Sequence, residues 1–174
     1  METLSADKLF CYDSQRNIGG GYVLPFLWYL RHCKDTKNPL LKFWCRYRLN
    51  FYRKKYGLEI PWNTQIGAGL YLGHAFNITI NQNVVIGNNC NIHKGAVIGR
   101  ENRGTRKGCP IIGNCVWIGI NAVVVGKITI GNDVLIAPNS YVNCDVPSHS
   151  VVFGNPCQIR HRENATKEYI NNRI

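Results

Sequence analysis

From residue 60 onward an aliphatic residue recurs at every sixth position. Ile60, Ile66 and Leu72 form a first run. An eight-residue step leads to Ile80, Ile86, Ile92 and Ile98, and after a longer interruption come Ile112, Ile118, Val124, Ile130, Ile136 and Val142. All thirteen positions hold Ile, Leu or Val, and small residues usually follow them (Gly67, Gly73, Gly87, Gly99, Gly113, Gly119, Gly131, Ala137). A period of six matches neither a helix, at about 3.6 residues, nor a simple amphipathic strand, at about 2. It fits short strands joined by tight corners, each strand pointing one aliphatic side chain into a prism. Three such strands make a coil of about 18 residues, and stacked coils cover one another's apolar faces. Asn63, Asn88, Asn89, Asn114 and Asn132 fall at the expected corners, where left-handed backbone angles cost Asn and Gly least. About five coils fit between residues 60 and 147.

Two segments depart from the period. Residues 99–110 (GRENRGTRKGCP) should leave the prism as a loop, and loops on a rigid scaffold often carry function. The stretch Val151 to Ile159 (VVFGNPCQI) has Gly-Asn-Pro chemistry that stops regular strands. It should close the open end, since the unpaired ends of a solenoid need caps. The chain therefore divides into an N-terminal helical segment (1–57), a β-helix (58–159) and a C-terminal tail (160–174).

Residues 1–57 follow a different pattern. In Pro39 to Tyr56, Leu40, Leu41, Trp44, Tyr47 and Phe51 stand at helical spacing with bases between them. Pro39 suits a helix start and Gly57 a helix stop. Asp7 to Gln15 and Tyr22 to Cys33 read as shorter helices around a Gly19-Gly20-Gly21 turn. The aromatic face of Pro39 to Tyr56 packs most simply on the β-helix or on another helix, with a membrane surface as the alternative.

Composition narrows the classes further. With 18% charged and 45% hydrophobic residues, the chain can bury a core and is not a disordered segment. No apolar run approaches the roughly 20 residues of a membrane span. The start (METLSADKLF) lacks a basic stretch followed by an apolar one, so the expected location is the cytoplasm. Eight cysteines with no C-x-x-C pair then read as buried small hydrophobes, not as disulfides or zinc ligands. The net charge is +11, with eleven basic and four acidic residues in 1–57. A second cluster is Arg100, Arg103, Arg106 and Lys107. This distribution is not a nucleic-acid stripe; a phosphate-bearing cofactor or an anionic membrane surface fits it equally well.

The residues that carry chemistry lie between 58 and 111. LEIPWNTQIGAGLYLGHAFNITIN followed by VIGNNCNIHKGAVIG resembles the catalytic region of serine O-acetyltransferases. It resembles more closely still the serine-acetyltransferase-like enzymes of surface polysaccharide synthesis. The resemblance covers about residues 57–159, including the eight-residue step and the 99–110 loop. It implies a left-handed parallel β-helix, mainly β, with a short helical segment before it and a cap after it. It also implies acetyl-CoA as co-substrate, no metal, and a homotrimer with active sites between subunits.

In that family the histidine of Leu72-Gly73-His74-Ala75 is the general base. A neutral imidazole can accept the proton of a hydroxyl attacking a thioester. Glu59 matches the position of a family carboxylate, usually Asp, which would orient His74 and stabilise its imidazolium; a solvated surface acid is the other reading. His93, about one coil on, reads as a substrate or inter-subunit contact or as plain surface. The family's pantetheine groove maps to Gly119, Ile120, Ala137 and Pro138, and Arg103, Arg106 or Lys107 could reach the CoA phosphates. Where serine acetyltransferases carry Arg-His-Pro, this chain has Gly108-Cys109-Pro110, and Gly73 stands where they carry Asp. Both changes remove groups suited to an amino acid, and Cys109 is not thereby a nucleophile. The expected acceptor is accordingly a sugar or glycan hydroxyl, with Gly73, His93 and Cys109 at the acceptor site, a ring in the volume vacated there, and Trp62, Tyr71 or Phe76 stacking on its apolar face. Serine O-acetylation is the alternative, ahead of amino-sugar N-acetylation and of a non-catalytic scaffold.

Overall fold

The computed structural model describes residues 4–174; the first three residues of the expected 1–57 segment, which begin the stretch read for a targeting signal, lie outside the described residues. The six-residue period becomes three parallel sheets wrapped around one prism. The first sheet stacks Leu58–Glu59, Ile78–Ile80, Val97–Gly99, Val123–Val125 and Tyr141–Val142. The second stacks Gln65–Ile66, Val85–Ile86, Ile111–Ile112 and Thr129–Ile130. The third stacks Tyr71–Gly73, Asn91–His93, Val116–Ile118, Val134–Ile136 and Ser150–Phe153, with Gln158–His161 folding back antiparallel on the last of these.

Register follows the aliphatic positions. Ile118 lies opposite Ile136, eighteen residues on. Leu72 lies opposite Ile92, twenty on, because the eight-residue step adds two. Ile92 lies opposite Ile118, twenty-six on, because the loop intervenes. Of the thirteen periodic positions, twelve are buried and Ile66 is half-buried. Each buried Ile, Leu or Val contributes about 1.5–3 kcal/mol relative to exposure, so the stacked column is the main source of stability. The loop closes on itself through an antiparallel bridge between Glu101 and Gly108. It rests on the next coil, where the Lys127 amide donates to the Arg106 carbonyl at 2.9 Å.

Three helices precede the prism: α1 (Ala6–Arg16), α2 (Val23–Asp35) and α3 (Pro39–Tyr56). The bounds of α3 follow from local chemistry. Asn38 Oδ1 accepts from the Leu40 and Leu41 amides at 3.0 and 3.2 Å, Pro39 opens the first turn, and Gly57 leaves at φ 63°. Helices α1 and α2 cover the first coil, whose outer edge has no preceding coil to pair with. Asp13 Oδ1 accepts from the Leu70 amide at 2.8 Å. Asn17 accepts from the Leu72 amide at 3.1 Å and donates to the Leu70 carbonyl at 2.8 Å. Arg31 donates to the Ile66 and Gly67 carbonyls at 2.7 Å each and pairs with Asp13 at 2.8 Å. Burial raises the Asp13 carboxyl above its ordinary pKa, against the opposing pull of Arg31.

At the other end, residues beyond the hairpin run back along the third sheet. Asp133 accepts from the Ala165 amide and from the amide and hydroxyl of Thr166. Asn91 donates to the Tyr169 carbonyl at 3.2 Å, and Asn89 exchanges two bonds with Ile174. Among the described residues no helix is long and apolar enough to cross a membrane.

Candidate active site

The eight-residue step places His74. The strand Tyr71–Gly73 ends, His74 takes φ 50° and Asn77 φ 53°, and the chain re-enters the prism at Ile78. Left-handed angles are uncommon outside Gly and Asn, so the extra residues form a turn that lifts the imidazole into solvent. His74 lines a cleft of about 230 Å³ together with Ile18, Gly19, Gly20 and Tyr22 from the α1–α2 connection and Tyr71. Two glycines of the triplet, Gly19 and Gly20, thus form a wall of this cleft as well as part of a turn.

His93 lies near enough to His74 for their charges to interact. Its Nδ1 stands 3.0 Å from the Ile118 carbonyl, which can only accept, so Nδ1 carries the hydrogen and Nε2 is left as an acceptor. Burial lowers the His93 pKa and nearby His74 lowers it further, against the opposing effect of the Ile118 bond. The ring packs on Trp117 at 4.6 Å and faces Tyr71 at 6.0 Å. It also lies directly over Gly73: a Cβ at that position would stand 2.5 Å from His93 Nε2. His93 opens onto a second cleft, of about 290 Å³, that shares Ile18 and Tyr71 with the His74 cleft.

Glu59 lies on the first sheet, opposite Thr79, and its carboxylate accepts from the Thr79 hydroxyl at 3.5 Å. Among the described residues no hydrogen bond joins Glu59 to His74 within the chain. Glu59 lines a separate cleft of about 330 Å³ with Thr79, Asn81 and Gly99. Cys109 adjoins it, donating its thiol to Asn81 Oδ1 at 3.4 Å. Burial raises the Cys109 pKa, which favours the thiol over the nucleophilic thiolate. Farther along the same sheet, Arg103 and Arg106 line a cleft of about 290 Å³ with Val125 and Asn143, and Lys107 is exposed beside them. This face therefore runs from a carboxylate to three cations.

The Gly119, Ile120, Ala137 and Pro138 corner is tighter than its sequence implies. A Cβ on Gly119 would stand 2.6 Å from Pro138 N, so the close approach this glycine permits is to the next coil. The Gly119 and Ala137 amides donate inside the ladder, to Ile136 and Val152. Tyr71 was expected at the acceptor site as a stacking ring, whereas Ile18 and Trp117 carried no such signal in the sequence. Only the register, which sets Tyr71 against Asn91 and Asn91 against Trp117, brings their side of the third sheet together.

The comparisons with known proteins agree on one group. Residues 109–144 match the bacterial transferase hexapeptide (six repeats) family. Serine acetyltransferase 2 from Arabidopsis thaliana is 36% identical over 104 residues, covering 60% of this chain and 32% of that protein. The crystal structure of Neisseria gonorrhoeae serine acetyltransferase in complex with serine matches with a TM-score of 0.71 at 26% identity, covering 89% of this chain and 69% of that one. The chain resembles serine acetyltransferases. A serine acetyltransferase solved in complex with CoA shares the fold, with a TM-score of 0.72 at 23% identity over 88% of this chain and 68% of its own. This chain spans about a third to a little over half of the length of curated relatives that it matches.

These findings correct the expected acceptor. A sugar or glycan hydroxyl, and with it a role in polysaccharide synthesis, is overturned by relatives that are serine acetyltransferases, one of them solved with serine. The structure supplies a physical reason. The expectation rested on the charged groups missing at Gly108, Cys109 and Gly73 and on the volume they vacate, and at Gly73 the His93 imidazole fills that volume. Trp62, one ring expected to stack on a sugar, instead carries Arg46 at 4.5 Å and Lys42 at 5.5 Å.

Proposed function

We propose that this chain is a serine O-acetyltransferase that moves the acetyl group of acetyl-CoA directly onto the hydroxyl of L-serine. The observation that carries this reading is the solvent-facing His74 turn beside a neutral His93, in a chain whose relatives are serine acetyltransferases. His74 accepts the hydroxyl proton as the oxygen attacks the thioester carbonyl; the C–S bond breaks and the proton returns to the leaving CoA thiolate. Glu59, which lines a separate cleft of its own chain, would stabilise the imidazolium that forms across the groove between two subunits. His93 Nε2 offers an acceptor for the serine ammonium, and Lys94, exposed on the next residue, offers a cation for its carboxylate.

The residues present suit CoA as well. Arg103, Arg106 and Lys107 project from the loop as exposed cations for its phosphates, and the corners at Gly119–Ile120 and Ala137–Pro138 are where the resemblance would lay pantetheine. The active assembly is a homotrimer with its sites between subunits. The test is to incubate the chain with acetyl-CoA and L-serine and to follow O-acetylserine by mass spectrometry alongside thiol release. His74→Ala should lower turnover by roughly 10²–10⁴ while leaving acetyl-CoA binding intact. No acetylserine above background, or a folded His74→Ala chain that turns over normally, would overturn the reading.

A further inference from the structure

Helix α3 has two apolar faces, and only one is used. Cys45 and Leu49 face inward and are buried. At 3.6 residues per turn, Leu40, Phe43, Trp44, Tyr47 and Phe51 fall within one arc of roughly 100° on the opposite side. They are exposed to 80%, 72%, 51%, 59% and 47% respectively. A continuous stripe of this kind marks a contact surface. The helix carries six basic residues and no acidic one. Lys42 and Arg46 turn toward Trp62 on the prism, whereas Arg48, Lys54 and Lys55 flank the exposed stripe. Arg48 lies within 6 Å of the Tyr29, Trp44, Phe51 and Tyr52 rings, and its Nε is buried with no partner among the described residues.

We infer that α3 docks this chain on an anionic phospholipid surface, lying in the interface with its aromatic stripe among the acyl chains and its flanking bases at the headgroups. The pattern is that of an interfacial helix: Trp, Phe and Leu on one side, Lys and Arg beside them, with aromatic rings suited to the water–lipid boundary. Charge decides between a bilayer and a second copy. Two α3 faces brought together would set Arg48, Lys54 and Lys55 against the same three bases with no acid on the helix to compensate, whereas an anionic leaflet complements all three. Ring geometry separates a bilayer from a single-stranded nucleic acid. Trp44 and Tyr47 stack on each other at 5.8 Å, so the faces they turn toward each other are closed to an intercalating base.

Flotation of the full chain with phosphatidylcholine vesicles, with and without phosphatidylglycerol, tests this. Binding is expected only with phosphatidylglycerol and should weaken as salt is raised. Lys54→Gln/Lys55→Gln should weaken it about 30-fold, each base near the surface being worth about 5-fold. Phe43→Ser/Trp44→Ser should abolish it, with acetyl transfer to serine in solution unchanged in both variants. Three results would overturn the inference: no phosphatidylglycerol-dependent flotation, flotation indifferent to these substitutions, or tighter binding of an oligouridylate than of the vesicles. A fall in sedimenting mass on Phe43→Ser/Trp44→Ser, with flotation retained, would assign the face to a second copy instead.

Discussion

At Gly73 the backbone has a neighbour where other residues would have a side chain. The His93 imidazole occupies that place, held by its Nδ1–H bond to Ile118 and by contact with Trp117. Glycine is therefore required here by packing, and the ring in turn brings an acceptor nitrogen beside the His74 turn. Gly73→Ala should push the ring aside and cost about 1–3 kcal/mol, the usual range for overpacking. In a His93→Ala background the same change should cost much less, because the space is open; residues in contact show such coupling. Denaturant midpoints of the two single variants and the double variant measure it. Purely additive costs would mean that the two positions do not share this volume. The reading of Gly73 as vacated space failed because a pattern match records which side chain is missing and is blind to one arriving from twenty residues on.

The helical elements show the same division between local and distant causes. The start and stop of α3 were legible because Asn38, Pro39 and Gly57 act on their immediate neighbours. What α1 and α2 do for the prism was not. Nothing in the pattern singles out Asp13, Asn17 and Arg31, yet they are buried and satisfy the backbone edge of the first coil. Arg31→Ala would leave the Asp13 carboxylate buried without its counter-ion, and loss of one partner from such a pair costs about 3–5 kcal/mol. The urea midpoint should drop accordingly, and the Leu70 and Leu72 amides should lose protection from hydrogen exchange. Removing both charges with Asp13→Leu/Arg31→Met should cost less than Arg31→Ala alone. An unchanged midpoint for Arg31→Ala would show that the helices do not cap the coil.

On the scale of the whole molecule, the groups assigned to the reaction are spread over several clefts of one prism. His74 and His93 open beside the α1–α2 connection, while Glu59 and the loop cations share the face of the first sheet. A single prism offers shallow clefts, and a groove between two prisms could gather CoA and serine along one line. Closed cyclic symmetry repeats that groove without leaving an open interface. Sedimentation equilibrium at micromolar concentration should accordingly give three times the 19.7 kDa chain mass. A stable monomer with full acetyltransferase activity would refute the shared groove.

By itself the sequence determined the prism, its coil length and its interruptions. The thirteen aliphatic positions bear on contacts that repeat along the chain, and a repeating contact leaves a repeating signal. It also determined where the His74 turn and the 99–110 loop leave the period, since each breaks that signal locally. Only the tertiary structure decided which residues meet across coils of eighteen, twenty and twenty-six residues. It put His93 over Gly73, Arg31 on Asp13, and the C-terminal residues along Asn89 and Asn91. Each of these contacts occurs once, between segments far apart in the chain, so no periodicity records it. Their geometry depends on insertions that shift every later register, and it exists only once the coils have stacked.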